Sequence, residues 1–399
     1  MRICFVAPFG IRPKGTVAAR MVPLAATLQE RGHQVLIVAP PYTNPEDSGT
    51  TEIIRGVELR NICLASGGKL LSTPLMTWRM LQGIRQTRPD LVHLFKPKGY
   101  GGLAVMLQML LQRKQAGLPI LVDSDDWEGS GGMNALHPYG RLEQQVYAFQ
   151  EAWLSRHAAG MTLASRTLLE MAQQMGVPQH RLLYLPNGVE LRPYGDGQRV
   201  RNMLGIEPDQ PVLLLYTRFF EFSQPPLYRL FQSLVVRIPR LRILVVGQGR
   251  LGEDAALQQA ACEMGFGQAL HHAGWVEPQQ LADWFAAAQV AVYPFDDTLT
   301  NRTKCPAKLT ELLLAGLPVV GHAVGQISEY LAAVPELLCS PGNWERLQQQ
   351  LVWLLEDREM AWRTGQSLRN DLLQRFAWSD GAAALDGFYH ELITTQEQV

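Results

Sequence analysis

Lys304, Lys308 and Glu311 lie close together in the stretch Asn301 to Gly321. The two lysines flank the start of a helical pattern, where free backbone N–H groups and the helix dipole already favour an anion. Pro306 suits the first turn, and Leu309, Leu312 and Leu313 mark its buried face. Glu311 stands three residues beyond Lys308, so the two side chains are neighbours on one face. The result is a phosphate-sized positive mouth with a carboxylate just beyond it. A nucleoside diphosphate has that shape, and its ribose diol can be held by a carboxylate through two hydrogen bonds. The plainer alternative is an ordinary helix–strand unit with solvated lysines.

A second group of chemistry-bearing residues is Asp123-Ser124-Asp125-Asp126-Trp127-Glu128-Gly129, followed by Gly131, Gly132 and His137. Three roles fit Asp125 and Asp126: a general base for a reacting hydroxyl, a carboxylate metal site, or capping and ordering of the loop. Lys96 and Lys98 follow the end of another strand pattern, where ligands of open α/β sheets bind. They suit a phosphate or carboxylate, or are exposed loop lysines. His93 alternates with apolar neighbours and reads as a packed strand histidine.

The elements that must position these groups are short β-rich runs alternating with helical patterns, the mark of parallel sheets with right-handed crossovers. Strands are expected at Ile3–Ala7, Val35–Ala39, Asp90–Phe95 (about the fourth), Leu118–Val122, Met161–Ala164, Leu182–Leu185, Val212–Tyr216, Ile243–Val246 and Val290–Pro294. Helices are expected at 17–31, 140–158 and 166–175, with helical patterns through 343–395. Gly15 lets the backbone approach a ligand or is a plain turn glycine. The loop holding it has no GxGxxG, so a dinucleotide fingerprint is not supported.

Lys-Leu-Thr-Glu-Leu-Leu-Leu-Ala-Gly-Leu-Pro-Val-Val resembles the second half of the signature of retaining glycosyltransferases of family four, which have the GT-B fold. Pro186-Asn187-Gly188-Val189-Glu190 is very like the family's interdomain junction. The likeness covers nearly the whole chain and is weakest at 120–140. It implies an α/β protein of two Rossmann-like domains facing across a cleft: 1–192 on the acceptor side, 193–377 on the donor side, with helix 378–395 packing back on the first. It also implies transfer of a sugar from a nucleoside diphosphate donor with retention at the anomeric carbon.

The resemblance places Arg218 on the donor diphosphate, beside Thr303, Lys304, Cys305, Pro306, Ala307 and Lys308, with Glu311 on the ribose. Trp275 and Val276 belong to the segment whose backbone reads the base, and Gly15 to the loop that closes over the donor. Asp125, Asp126, Arg218 and Lys308 are the residues expected to carry the chemistry. Lys96, Lys98 and His137 are assigned to the acceptor. No metal is expected, and no cofactor beyond the nucleoside diphosphate sugar as co-substrate. The chain departs from the family pattern twice: Thr303 stands where a first glutamate falls, and Ser223 where a lysine follows the arginine. Those departures keep a non-catalytic nucleotide-sugar-binding scaffold open, alongside a nucleotide-sugar epimerase.

The 399 residues suit two domains of ordinary size, and 47% hydrophobic content is ample for large cores. Five scattered cysteines with no CxxC pair argue for a reduced, cytoplasmic protein without structural zinc. No signal peptide or membrane span is expected. Residues 1–190 carry a net charge of +5 and the remainder −6. A basic first half favours an anionic acceptor or peripheral contact with a membrane surface, or is random surface variation. The acceptor is expected to be a lipid or a saccharide, and no nucleic-acid partner is expected.

Overall fold

The structure is a computed structural model that describes residues 1–13, 15–112 and 117–397. The chain forms two compact units. The first comprises Met1–Gly188, Thr303–Cys305 and Trp378–Val399; the second comprises Val189–Arg302 and Pro306–Ala377.

The first unit is built on eight strands: β1 (Arg2–Val6), β2 (Gln34–Ala39), β3 (Thr51–Ile54), β4 (Val57–Asn61), β5 (Leu91–Phe95), β6 (Ile120–Ser124), β7 (Gly160–Leu163) and β8 (Leu182–Tyr184). Their order is β3-β4-β2-β1-β5-β6-β7-β8. All pairs are parallel except the β3–β4 hairpin. The sequence reading missed that hairpin, and β5 is therefore the fifth strand. Its turn is Arg55-Gly56, both at positive φ (53° and 80°), rather than the more recognisable Asn-Gly or Asp-Gly.

Strands β5, β6 and β7 are buried along their whole length, as parallel strands covered on both faces must be. One face packs Phe5, Leu24 and Leu28 against Leu385 and Tyr389 of the last helix, Trp378–Glu397. The other packs Met80, Ile84, Val105 and Leu154. The expected helix at 17–31 begins as a π-helical turn, Val17–Met21, and continues as the α-helix Val22–Glu30. Strand order turns back at β1, so the carboxyl ends of β1 and β5 lie at the switch point where open α/β sheets bind ligands.

The second unit has β9 (Val212–Tyr216), β10 (Arg242–Val246), β11 (Leu270–Gly274), β12 (Val290–Tyr293), β13 (Val319–His322) and β14 (Leu338–Cys339). All of its pairs are parallel, in the order β11-β10-β9-β12-β13-β14. This is the doubly wound order of dinucleotide-binding domains, with its switch point beside β9. Gly247, just past β10, has φ 121°, and a Cβ there would lie 1.9 Å from the Thr217 carbonyl oxygen. The chain can cross the end of β9 this closely only with glycine.

The stretch singled out in the sequence forms a helix, Ala307–Leu314, with Leu309, Leu312 and Leu313 fully buried. Pro306 sits one position before the first turn, with φ −76° and ψ 101°, rather than within it. Gly316 ends the helix in the left-handed conformation, φ 72°, and β13 follows.

Candidate active site

In the second unit, β9 delivers Tyr216 to the sheet's switch point, and Thr217 and Arg218 follow directly. Lys308 Nζ stands 3.3 Å from the centre of the Tyr216 ring. The Tyr216 hydroxyl donates to Glu311 Oε2 at 3.1 Å. The phenol is thus held between the lysine and the carboxylate expected to bind phosphate and ribose. Burial, with Glu311 beside it, raises the Tyr216 phenol far above its ordinary pKa, so it remains a hydrogen-bond donor. Arg218 is half exposed, 3.8 Å from Glu221, and stacks on Phe220. Ser223, where the family has a lysine, donates its backbone N–H to Asp296 at 2.8 Å and precedes the helix Gln224–Arg237. Trp275 is 57% exposed and donates to Glu277, whereas Val276 is buried.

Thr303, Lys304 and Cys305 belong to the first unit and are buried there. The Thr303 carbonyl accepts from Ser165 Oγ at 2.9 Å. The Cys305 carbonyl accepts from Asn187 Nδ2 at 2.7 Å, and its Sγ accepts the Asn187 backbone N–H at 3.1 Å. Asn187 is oriented by Arg20, whose Nη1 donates to its Oδ1 at 3.1 Å. Arg20 in turn grips Asp123 with two hydrogen bonds, 2.9 and 2.6 Å, in full burial. Burial opposes the Arg20 charge, but Asp123 more than restores it.

The network continues from Asp123 through Thr162 Oγ1 (2.6 Å) to His93 Nε2 (3.1 Å) and from His93 Nδ1 to the Tyr389 hydroxyl (2.7 Å). Burial, reinforced by Arg20, pushes His93 down to about 3. It is a neutral, packed strand histidine.

The acidic loop after β6 closes on the lysines after β5. Lys96 Nζ lies 2.8 Å from Asp125 Oδ1, 2.7 Å from Asp126 Oδ2 and 3.2 Å from Glu128 Oε1. Lys98 Nζ reaches Glu128 Oε2 at 2.7 Å. Asp125 also accepts from Thr16 Oγ1 at 2.9 Å. Burial works against both charges of the Lys96–Glu128 pair, yet Asp125, Asp126 and Glu128 together hold Lys96 ionised, and Lys96 and Lys98 hold Glu128 so. Both lysines are buried, which corrects the exposed-loop reading. The place where three carboxylates converge is filled by an ammonium, so nothing in the donor set calls for a metal there. His137 stacks on Tyr139 at 5.1 Å, and Lys98 lies 5.9 Å from the same ring. Gly15 stands beside the Phe9 ring, and its carbonyl accepts from the Ala19 N–H at 2.9 Å.

Two family models match the chain: a glycosyl transferase 4-like domain over residues 15–188 and glycosyl transferases group 1 over residues 211–357. The chain is a group 1 glycosyltransferase. The D-inositol 3-phosphate glycosyltransferase 2 of Catenulispora acidiphila is 27% identical over 251 residues, 56% of this chain and about half (54%) of that protein. The GDP-mannose-dependent alpha-mannosyltransferase of Mycobacterium tuberculosis is 26% identical over 98% of this chain and 96% of its own. Among solved structures, sucrose-phosphate synthase from Thermosynechococcus elongatus superposes with a TM-score of 0.75 at 18% identity, covering 99% of this chain and 100% of that one. Anabaena HepE in complex with UDP and glucose gives 0.71 at 16% identity, covering 98% and 100%. The fold of this glycosyltransferase is GT-B.

Three residues that order candidate residues within their own unit escaped the sequence reading, Tyr216 in the second unit and Arg20 and Tyr139 in the first, and Glu128 was seen in the acidic loop without its lysine partners. Arg20 carried a signal, since an arginine inside the apolar run Val17–Leu28 requires a buried partner. Tyr216 carried one too, as the last strand residue before Arg218. Among the described residues no helix is long and apolar enough to cross a membrane.

Proposed function

We propose that this glycosyltransferase takes its sugar from a nucleoside diphosphate donor and transfers it to an acceptor hydroxyl with retention of anomeric configuration. The observation that carries this reading is the Lys308–Tyr216–Glu311 arrangement at the carboxyl end of β9. It offers a cation at a helix start and a carboxylate one turn on, as a diphosphate and a ribose diol require. In the reaction the bond from C1 of the sugar to the β-phosphate oxygen breaks, and its electron pair leaves with the diphosphate. Arg218, Lys304, Lys308 and the first amides of the Ala307–Leu314 helix are the groups proposed to stabilise that growing charge. The acceptor oxygen bonds to C1 on the same face, and its proton passes to a phosphate oxygen of the leaving group.

The retaining outcome is taken from the resemblance of residues 308–320 to the signature of the retaining family, and a covalent route through the acidic loop is disfavoured. Asp125 and Asp126 are engaged by Lys96, which suits them to orienting a hydroxyl better than to attacking a carbon. The experiment is a panel of nucleotide sugars scored by thermal shift and by slow donor hydrolysis. A donor that binds only the folded protein raises stability by about 2.7 kcal/mol at a hundredfold excess over its dissociation constant. Transfer is then followed by the anomeric proton signals of the product. An inverted product overturns retention. Binding without any turnover points to a scaffold, and isomerisation of the donor alone points to an epimerase.

A further inference from the structure

The lysine–carboxylate cluster at the ends of β5 and β6 has a charge pattern that restricts what it can bind. Lys96 has three N–H donors, and three carboxylates surround its Nζ within 3.2 Å. Two of those donors bond Asp126 and Glu128, and the remaining side of the ammonium is covered by Asp125 as an ion pair at 2.8 Å. Lys98 is buried against Glu128 and turned toward the Tyr139 ring. Two ammonium groups therefore face three carboxylates, and a phosphate entering here meets a surplus of negative charge.

The unspent hydrogen-bonding capacity lies in carboxyl oxygens. Asp126 is the most exposed of the three acids, and its Oδ1 makes no hydrogen bond among the described residues. Behind Glu128, Glu151 accepts from Ser124 Oγ at 3.1 Å through Oε1; its Oε2 has no hydrogen-bond partner among the described residues, and the residue is 1% exposed. Carboxyl oxygens read hydroxyl groups, because a hydroxyl always has a hydrogen to donate.

The rest of this face is aromatic. Tyr139 packs edge-on against Tyr147 at 5.0 Å and carries His137 on its ring. Tyr42, half exposed, meets Tyr100 edge-on at 6.1 Å. Tyr139 is tied to the cluster by Lys98, 5.9 Å from its ring, and Tyr100 follows Lys98 by two residues. Such rings present large apolar faces with polar tips, suited to the C–H faces of a sugar ring.

We propose that this face of the first unit binds an uncharged saccharide or polyol, with hydroxyls on Asp126 and a ring face on the tyrosines, and disfavours phosphorylated acceptors. The idea that this ligand is the acceptor rests on the glycosyl-transfer reading; its binding does not. The paired lysines thereby lose the phosphate-binding role expected from the sequence.

The test is saturation-transfer difference NMR on the full chain without donor. The probes are maltose, methyl α-glucopyranoside and myo-inositol, set against glucose 6-phosphate and inositol 1-phosphate at equal concentration. The expected result is ring-proton signal from the neutral set, roughly 5-fold or more above the phosphorylated set, lost in both Tyr139→Ala and Asp126→Asn. Melting curves confirm that both variants are folded. Glu128→Gln, which releases Lys98, is expected to shift the preference toward the phosphorylated set. Phosphorylated probes binding equally or better, no signal from any neutral probe, or signals that survive both substitutions overturns the proposal. Nucleotide binding, measured separately on the same samples, shows whether the donor reading stands or falls on its own.

Discussion

Lys308 Nζ lies 3.3 Å from the centre of the Tyr216 ring, close enough for the ring face to attract the ammonium directly. Tyr216 also donates to Glu311, so one phenol fixes the cation and the carboxylate at once. Tyr216→Phe keeps the ring and removes only the hydroxyl. Hydrogen bonds to charged groups are worth about 1.5–3 kcal/mol, so roughly a 10-fold loss of nucleoside diphosphate affinity is expected. Tyr216→Leu should lose more, because the cation–ring contact goes too. Calorimetric titration with UDP and GDP measures both. Unchanged affinity in Tyr216→Phe means that Glu311 is positioned by something else.

Glu311→Gln keeps size and loses the ionised acceptor. Roughly a 10-fold or greater loss of nucleotide affinity is expected with the melting temperature unchanged. Wild-type affinity in this variant removes Glu311 from the site.

A diphosphate brings about two negative charges, more than one arginine should offset at an effective dielectric well below that of water. Ser223 supplies no second cation, and its backbone is tied to Asp296. Lys304→Ala, Lys308→Ala and Arg218→Ala should each weaken the nucleoside diphosphate more than the bare nucleoside. Arg218 is partly offset by Glu221, so its loss should be the smallest of the three. Equal losses for nucleoside and diphosphate would mean that these residues act through the fold rather than on phosphate.

The sheets were legible in the sequence because buried parallel strands read as short Val/Ile/Leu runs between turn residues. The hairpin at 51–61 was not: Glu52, Arg55, Glu58 and Arg60 break the apolar run, and the strands lie at the edge of the sheet. Lys308 and Glu311 were legible because a single helix sets their spacing. The pairing of Lys96 with three acids was not, since it depends on β5 and β6 being neighbours with Phe95 opposite Asp123. The Arg20–Asp123 contact spans 103 residues of sequence, and no local pattern encodes it.

Asp125→Asn and Asp126→Asn separate the loop roles. Asp125 is buried between Lys96 and Thr16, so its substitution should lower the melting temperature, with a cost of about 1–3 kcal/mol. Asp126 is more exposed and should lose turnover with little change in stability. Full stability and full activity in both variants would remove these aspartates from ordering and chemistry alike.

Glu151 supplies a pH dependence. Burial, with Glu128 nearby, raises its carboxyl from 4.5 to about 8. Between those values the folded state holds a proton that the unfolded state has lost, so stability falls as pH rises through the window. Glu151→Gln is neutral at every pH and lacks this slope. The melting temperature of the variant should therefore gain on that of wild type between about pH 6 and about pH 9. Parallel curves over that range would show that Glu151 is already ionised at neutral pH.

The Arg20–Asp123 pair is suited to a double-mutant cycle. Both side chains are almost wholly shielded, and two hydrogen bonds join them. Arg20→Leu leaves a buried carboxylate without its counter-charge, and Asp123→Leu leaves a buried guanidinium. Breaking a buried pair from one side typically costs about 3–5 kcal/mol. Removing both charges should cost less than the sum, because neither partner is then stranded. Asn187 and the Leu185 carbonyl also lose a donor with Arg20, and Thr162 loses an acceptor with Asp123, so the double variant should not regain full stability. Denaturant midpoints at constant slope measure the cycle. Additivity within about 0.5 kcal/mol would mean that the two charges do not stabilise each other. The His93–Tyr389 end of the network would then be the part that holds the last helix in place.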